Sequence, residues 1–286
     1  MGNGWHEWPL IIFTVLGQCV VGGFWVMALL LLSGKLDTQK TRRVHLSMFF
    51  LWVLMGIGFI ASVMHLGSPL RAMNSLNRLG ESALSNEIAA GSLFFVLGGV
   101  YWLLAVLNKL SAAVGRIWLM AAMLAGLIFV YAMSRVYAIN TVPTWDSAYT
   151  PWQFFLTMLV GGPLLGMLLL RTAIDDWTGM RWLAMISGVA LVVSIAVNLM
   201  QTAGLADISS SVQQASALVP QYGHWLVGRL LLLVLGLSCW FYPLMRGKTP
   251  SVVGLSLAMV LVFGGEMIGR ALFYGLHMTV GMAIAG

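Results

Sequence analysis

Charge is what this sequence has least of: 8% of its 286 residues are Asp, Glu, Lys or Arg, while 60% are hydrophobic and the mean hydropathy is +0.91. A soluble domain carries about 25% charged residues. So few charges cannot clothe a water-facing surface, but a lipid-facing surface needs none. Cysteine is nearly absent. Cys19 and Cys239 lie inside apolar runs and make no CxxC pair. They cannot ligate an iron–sulfur cluster by themselves and read as buried apolar thiols. The five histidines, His6, His45, His65, His224 and His277, fall in loops, tails or helix ends. A membrane haem needs axial ligands well inside the bilayer, so no haem is expected. There is no Walker A motif, which excludes an ATP-driven pump, and no metal-ligand cluster. The formal charge of +6 and pI near 9.6 do not point to nucleic acid. The basic residues sit in short loops between apolar runs, the pattern that orients a membrane protein.

Long apolar runs are what the sequence does have. Runs of about 20 residues suit a membrane-spanning helix. They predict an all-α polytopic bundle of about eight spans, near 9–32, 46–64, 87–108, 117–138, 151–171, 182–200, 225–244 and 251–275, in one membrane domain covering 1–286. Met1–Trp8 carries no Lys or Arg, so the first run reads as a retained helix rather than a cleaved leader. Thr150-Pro151 and Thr249-Pro250 read as an N-cap followed by proline at the first helical position. Gly161-Gly162-Pro163 is expected to bend the fifth span. Gly56, Gly58 and Ala61 should let helices approach closely. Trp and Tyr gather near the run ends, as an interfacial belt requires.

Lys35, Lys40, Arg42, Arg43, Lys109, Arg116, Arg171, Arg181, Arg246 and Lys248 fall in alternate connections, while Arg71 and Arg78 stand in a connection on the other side. The positive-inside rule therefore predicts both termini outside the cytoplasm, periplasmic in a bacterial inner membrane. The opposite connections, His65–Asn86, Ile139–Thr150 and Gln201–His224, are long, polar and aromatic. Such segments carry a site or dock a partner.

Ionisable groups inside spans are expensive and mark function. Here they are His65, Glu87, Arg135, Arg229, Glu266 and Arg270, all toward the outer portion. Glu266 and Arg270 are spaced i,i+4 and are expected to pair as a structural ion pair. His65 and Glu87 end and begin two spans joined by one loop, with no local partner at helical spacing. A histidine, titrating near neutrality, and a carboxylate can together bind and deprotonate a hydroquinone, with Arg71 or Arg78 holding the carboxylate ionised. The carrier is then a diffusible quinone, and the metal centres belong to another subunit. The alternatives are a secondary transporter built on Glu87, Glu266 and Arg270, against which stands the lack of an internal repeat, and a purely structural anchor.

The segments MGNGWHEWPLIIFTVLGQCVVGG, VMHLGSP, LSNEIA, TVPTW, SSVQQASALVP and GGEMIGRALFYGLHMTVGMAIAG resemble the membrane anchor subunit of bacterial dimethyl sulfoxide reductase, the DmsC family, along essentially the whole sequence. Some stretches also resemble the YnfH-type paralogous anchor. The resemblance implies an eight-helix, non-catalytic anchor that binds and oxidises menaquinol. It implies an iron–sulfur electron-transfer subunit as recipient and a molybdopterin catalytic subunit that reduces S-oxides or N-oxides in anaerobic respiration. It maps the family's quinol-site histidine and glutamate to His65 and Glu87.

Overall fold

The computed structural model describes residues 2–65, 74, 77–174, 181–209 and 214–279. Among them the chain forms nine α-helices: α1 (Trp8–Leu32), α2 (Thr38–Ser47), α3 (Phe49–His65), α4 (Ala83–Val106), α5 (Ala112–Arg135), α6 (Tyr149–Ala173), α7 (Arg181–Gly204), α8 (Tyr222–Met245) and α9 (Val252–Gly275). Eight helical segments are long and apolar enough to cross a membrane, as the hydropathy predicts. α2 and α3 form one such segment, separated only by Met48. The second span therefore starts earlier than the apolar run. Asp37 accepts a hydrogen bond from the Lys40 backbone N–H at 2.8 Å and caps the polar turn TQKTRRVH into helix. That bond, with the Lys40 charge, holds the Asp37 carboxyl below its usual range.

Two expected caps are corrected. α6 begins at Tyr149, one residue before Thr150, whose hydroxyl instead donates to the Trp145 carbonyl at 2.6 Å. α9 is capped by Ser251, which accepts from the Gly254 N–H, so Thr249 lies ahead of the helix. Pro163 is carried inside α6 without breaking it.

α1 and α6 form the centre of the bundle and are each other's most extensive neighbours. On one side α3 and α5 pack on α1, with α4 against α5; on the other, α7 and α9 pack on α6, with α8 against α9. The outer helices turn Ile60, Ile117, Leu124, Val189, Val192 and Val260 outward. A water-facing bundle hides such side chains, whereas lipid accepts them.

The central crossing depends on the absence of side chains. A Cβ on Gly22 would stand 2.7 Å from the Gly162 Cα, and a Cβ on Gly162 would overlap Gly22. Backbone cannot yield as a side-chain tip can, and in lipid close packing is a main source of helix association. Gly162→Ala is expected to push α1 and α6 apart and destabilise the fold by about 1–3 kcal/mol. Gly99→Ala, with nothing within 4 Å of the added methyl, is expected to leave stability unchanged. Thermal unfolding of the two variants in detergent, followed by circular dichroism, compares them; equal midpoints would show that the crossing tolerates separation.

Candidate functional site

The ionisable residues singled out from the sequence divide into three groups near one end of the bundle. The first is at its surface. His65 closes α3, and its Nδ1 lies 3.1 Å from Oε2 of Glu7, the residue that leads into α1. Both side chains are more than a third exposed. His65 therefore has a partner that helical spacing does not reveal. Arg78 stands at the surface beside Glu81, 3.8 Å away, and both are largely exposed. Arg71 lies outside the described residues.

The second group is buried. Ser82 caps α4, and Asn86 accepts from the Gly80 N–H at 2.7 Å, tying the preceding turn to the helix. Gly80 has φ +85°, a backbone region that glycine enters without steric cost. This turn sets Glu87 in the second turn of α4, with 5% of its surface exposed. Glu87 makes no ion pair and no side-chain hydrogen bond among the described residues, and none with His65. It lies within electrostatic reach of Tyr137 and Tyr274, whose hydroxyls are 2.7 Å apart. These tyrosines come from the segment after α5 and the end of α9, and sequence reading missed both. Their positions gave no motif; only the packing of Tyr137 among Trp145, Phe154, Phe273 and Tyr274 brings them to Glu87. Beside the same turn of α4, Asn86, Tyr131 and Arg135 line a cleft of about 450 Å³ between α4 and α5. Arg135 is exposed there, as a snorkelling arginine would be.

The third group corrects the expected Glu266–Arg270 pair. Glu266 Oε2 accepts from Arg229 Nη2 at 3.2 Å and from the Thr157 hydroxyl at 2.7 Å. Arg229 Nη1 also donates to Asn198 Oδ1 at 2.9 Å. Arg270 turns the other way. Its Nη2 donates to Gln18 Oε1 at 3.0 Å, and its guanidinium carbon lies 3.7 Å from the centre of the Phe154 ring. The i,i+4 rule assigns neighbours on an exposed helix face. In a crowded interior, helices α1, α6, α7 and α8 supply nearer partners than the residue one turn away.

Trp145, on the Ile139–Thr150 connection expected to dock a partner, is tied into the fold. Its indole N–H donates to the Phe273 carbonyl at 2.7 Å and its ring stacks on Phe273. Asp146 and Ala148, on the same connection, are exposed. Among the described residues no three of His, Cys, Asp or Glu come together as metal ligands would.

Residues 1–276 match the family model described as DMSO reductase anchor subunit (DmsC). The sequence is 61% identical over 287 residues to the C subunit of anaerobic dimethyl sulfoxide reductase from Escherichia coli (strain K12), with the full length of both proteins covered. It is 58% identical over 286 residues to the YnfH subunit of anaerobic dimethyl sulfoxide reductase from the same organism, and 43% identical over 286 residues to the C subunit from Haemophilus influenzae, again with the full length of both proteins covered.

Proposed function

The chain belongs to the DMSO reductase anchor subunit (DmsC) family, and from that premise we propose that it oxidises menaquinol near His65 and Glu87 and passes the electrons to an iron–sulfur partner. It is a multi-pass membrane anchor subunit, and that membership replaces the transporter alternative. The terminal reduction takes place in a molybdopterin catalytic subunit, and this chain holds neither haem nor iron–sulfur cluster of its own.

The observation that carries this reading is the buried carboxyl group of Glu87, without an ion-pair or hydrogen-bond partner among the described residues and within electrostatic reach of the Tyr137–Tyr274 hydroxyl pair. Placing a carboxylate in an apolar interior without a cation is costly, so it calls for a function. Oxidation of a hydroquinone releases two protons and two electrons. Each proton needs an acceptor within hydrogen-bond reach. Glu87 supplies one carboxylate oxygen and His65, when neutral, one ring nitrogen. The tyrosine hydroxyls can donate to the quinone oxygens and keep them oriented. Glu7 stabilises His65 once it is protonated, and the exposed His65–Glu7 pair releases that proton to water. The α4–α5 cleft gives an apolar molecule an approach from the lipid to the turn that carries Glu87. The electrons leave singly to the partner's nearest cluster. His65→Arg and Glu87→Gln, assayed for quinol-dependent reduction in the assembled enzyme, test this assignment.

The basic face, which carries the α1–α2, α4–α5 and α8–α9 connections, is assigned to the cytoplasm of a bacterial inner membrane. Both termini and the site are then periplasmic, where the partner subunits dock on the long connections. Single cysteines at Lys40 and Asp207, both exposed, are expected to react with a membrane-impermeant maleimide from opposite sides. Labelling of Asp207→Cys alone in intact cells supports the assignment; labelling of Lys40→Cys alone reverses it.

A further inference from the structure

At the basic face, opposite the site above, a cleft of about 600 Å³ opens between α2, α4 and α5. Arg42 on α2 and Arg116 on α5 both line it, and both side chains are exposed. Neither makes an ion pair among the described residues. Arg116 reaches over the α1–α2 turn: a Cβ on Gly34 would lie 3.4 Å from its Nη2. Thr38, Thr41, Ser111 and Asn108 add neutral donors to the rim. Among the described residues no carboxylate lines the cleft. Asp37, the one described carboxylate on this face, is engaged by the Lys40 N–H and lies 3.6 Å from the Lys40 ammonium. The inner wall holds His45, whose Nε2 is 3.0 Å from the Tyr101 hydroxyl, and below it Leu31, Ala105 and Leu119. The first turns of α2 and α5 both open onto the same space, and helix N-termini favour anions.

Basic residues on this side are common in membrane proteins and by themselves only orient the bundle. What distinguishes Arg42 and Arg116 is that they share one concave volume with hydroxyl donors above and aliphatic side chains beneath. The cleft sits where the apolar runs of α1 and α4 end, at Leu32 and Val106, and that of α5 begins, at Ala112. In a bilayer this is the level of the lipid phosphates. We propose that this cleft binds a phosphate group, supplied by the headgroup of an anionic phospholipid in the surrounding leaflet. The two guanidinium groups clamp the phosphate oxygens, the hydroxyls meet the remaining oxygens or the glycerol, and Leu31 and Leu119 meet the upper part of the acyl tail. A lipid held here fastens the polar helix α2 to the α4–α5 pair, which it otherwise meets through the His45–Tyr101 bond and the bond from the Trp102 indole N–H to the His45 carbonyl.

The test uses the full-length protein in detergent, stripped of lipid and titrated with phosphatidylglycerol. Phosphatidylcholine with the same acyl tails and inorganic phosphate are titrated separately, and adducts are read by native mass spectrometry. The expected result is a preference for phosphatidylglycerol over phosphatidylcholine. R42Q and R116Q should each weaken phosphatidylglycerol binding about fivefold, and the pair about 25-fold. R246Q removes a charge from the same face without lining the cleft and should change nothing. Because Arg42 and Arg116 make no ion pair among the described residues, their loss should leave the thermal midpoint of lipid-free protein unmoved, and R42K/R116K should restore most of the binding. Equal weakening by R246Q, or binding indifferent to R42Q/R116Q, would overturn the site. Arginine-dependent retention of inorganic phosphate without a preference between the two lipids would overturn the lipid as source.

Discussion

His65→Arg and Glu87→Gln should each cost about 10²–10⁴-fold in quinol-dependent reductase activity, the range expected when a positioned proton acceptor is removed. The two substitutions separate chemistry from structure. Arginine at position 65 places a permanent cation beside Glu7 but cannot take up a proton, so a contact that merely holds α3 to the start of α1 survives. Glutamine at position 87 keeps nearly the same shape beside Tyr137 and Tyr274 and removes only the ionisable group. The harsher Glu87→Lys also inactivates, but it places a cation in a site where Glu87 is 5% exposed, and its effect on folding must be read alongside. In all three variants the complex should still assemble in the membrane, and an artificial electron donor to the soluble subunits should still drive the terminal reduction. If His65→Arg and Glu87→Gln both oxidise menaquinol at near-normal rates, the protons leave elsewhere and the assignment is lost. Loss of assembly without loss of specific activity would make the two residues structural.

The largest effect on stability should come from Arg229→Met. Arg229 and Glu266 are 3.2 Å apart with side chains 6% and 2% exposed. Removing one partner leaves the other charge buried, at a cost of about 3–5 kcal/mol. Glu266 keeps the Thr157 hydroxyl, but its Oε1 has no hydrogen-bond partner among the described residues to share the burden. For a protein of this size the loss corresponds to a drop on the order of 10 °C in the thermal midpoint. Arg229→Met/Glu266→Gln removes both charges and should recover a large part of the drop, because a neutral amide costs less to bury than a bare carboxylate. Unfolding of the three proteins in detergent, followed by tryptophan fluorescence, gives the comparison. A single variant within about 2 °C of the parent would mean that the pair contributes little and that Glu266 is already neutral or solvated. Arg270→Met should behave more mildly. It loses one hydrogen bond to Gln18 and the stacking on Phe154, and strands no opposite charge.

The same network shows where reading residues in order stops. Glu266 and Arg270 stand on adjacent turns of α9, and that spacing makes them look like a pair. Glu266 belongs to Arg229, 37 residues away, and Arg270 to Gln18, 252 residues away. His65 looks solitary until the protein's own beginning returns Glu7 to it. Tyr137 and Tyr274 carry no signal at all, because tyrosine near a span end is what an interfacial belt contains in any case. Glu87 was legible for the opposite reason: a carboxylate in the first turns of an apolar span is rare enough to mark itself.

What the sequence determined alone are the quantities that add up locally. Burial of apolar length in lipid depends on runs of neighbouring residues, so eight spans can be counted without knowing how they pack. The excess of Lys and Arg in alternate connections is likewise a local sum. Helix starts are less secure, because a side chain two or three residues on can take over the cap, as Ser251 does from Thr249. The tertiary structure alone decided the partners. In a lipid-buried interior a polar group without a partner within about 3 Å is costly. Which partner it finds depends on how closely the helices approach. Gly22 and Gly162 bring α1 and α6 together, and with them Gln18 on α1, Thr157 on α6 and the α9 residues Glu266 and Arg270 that they meet.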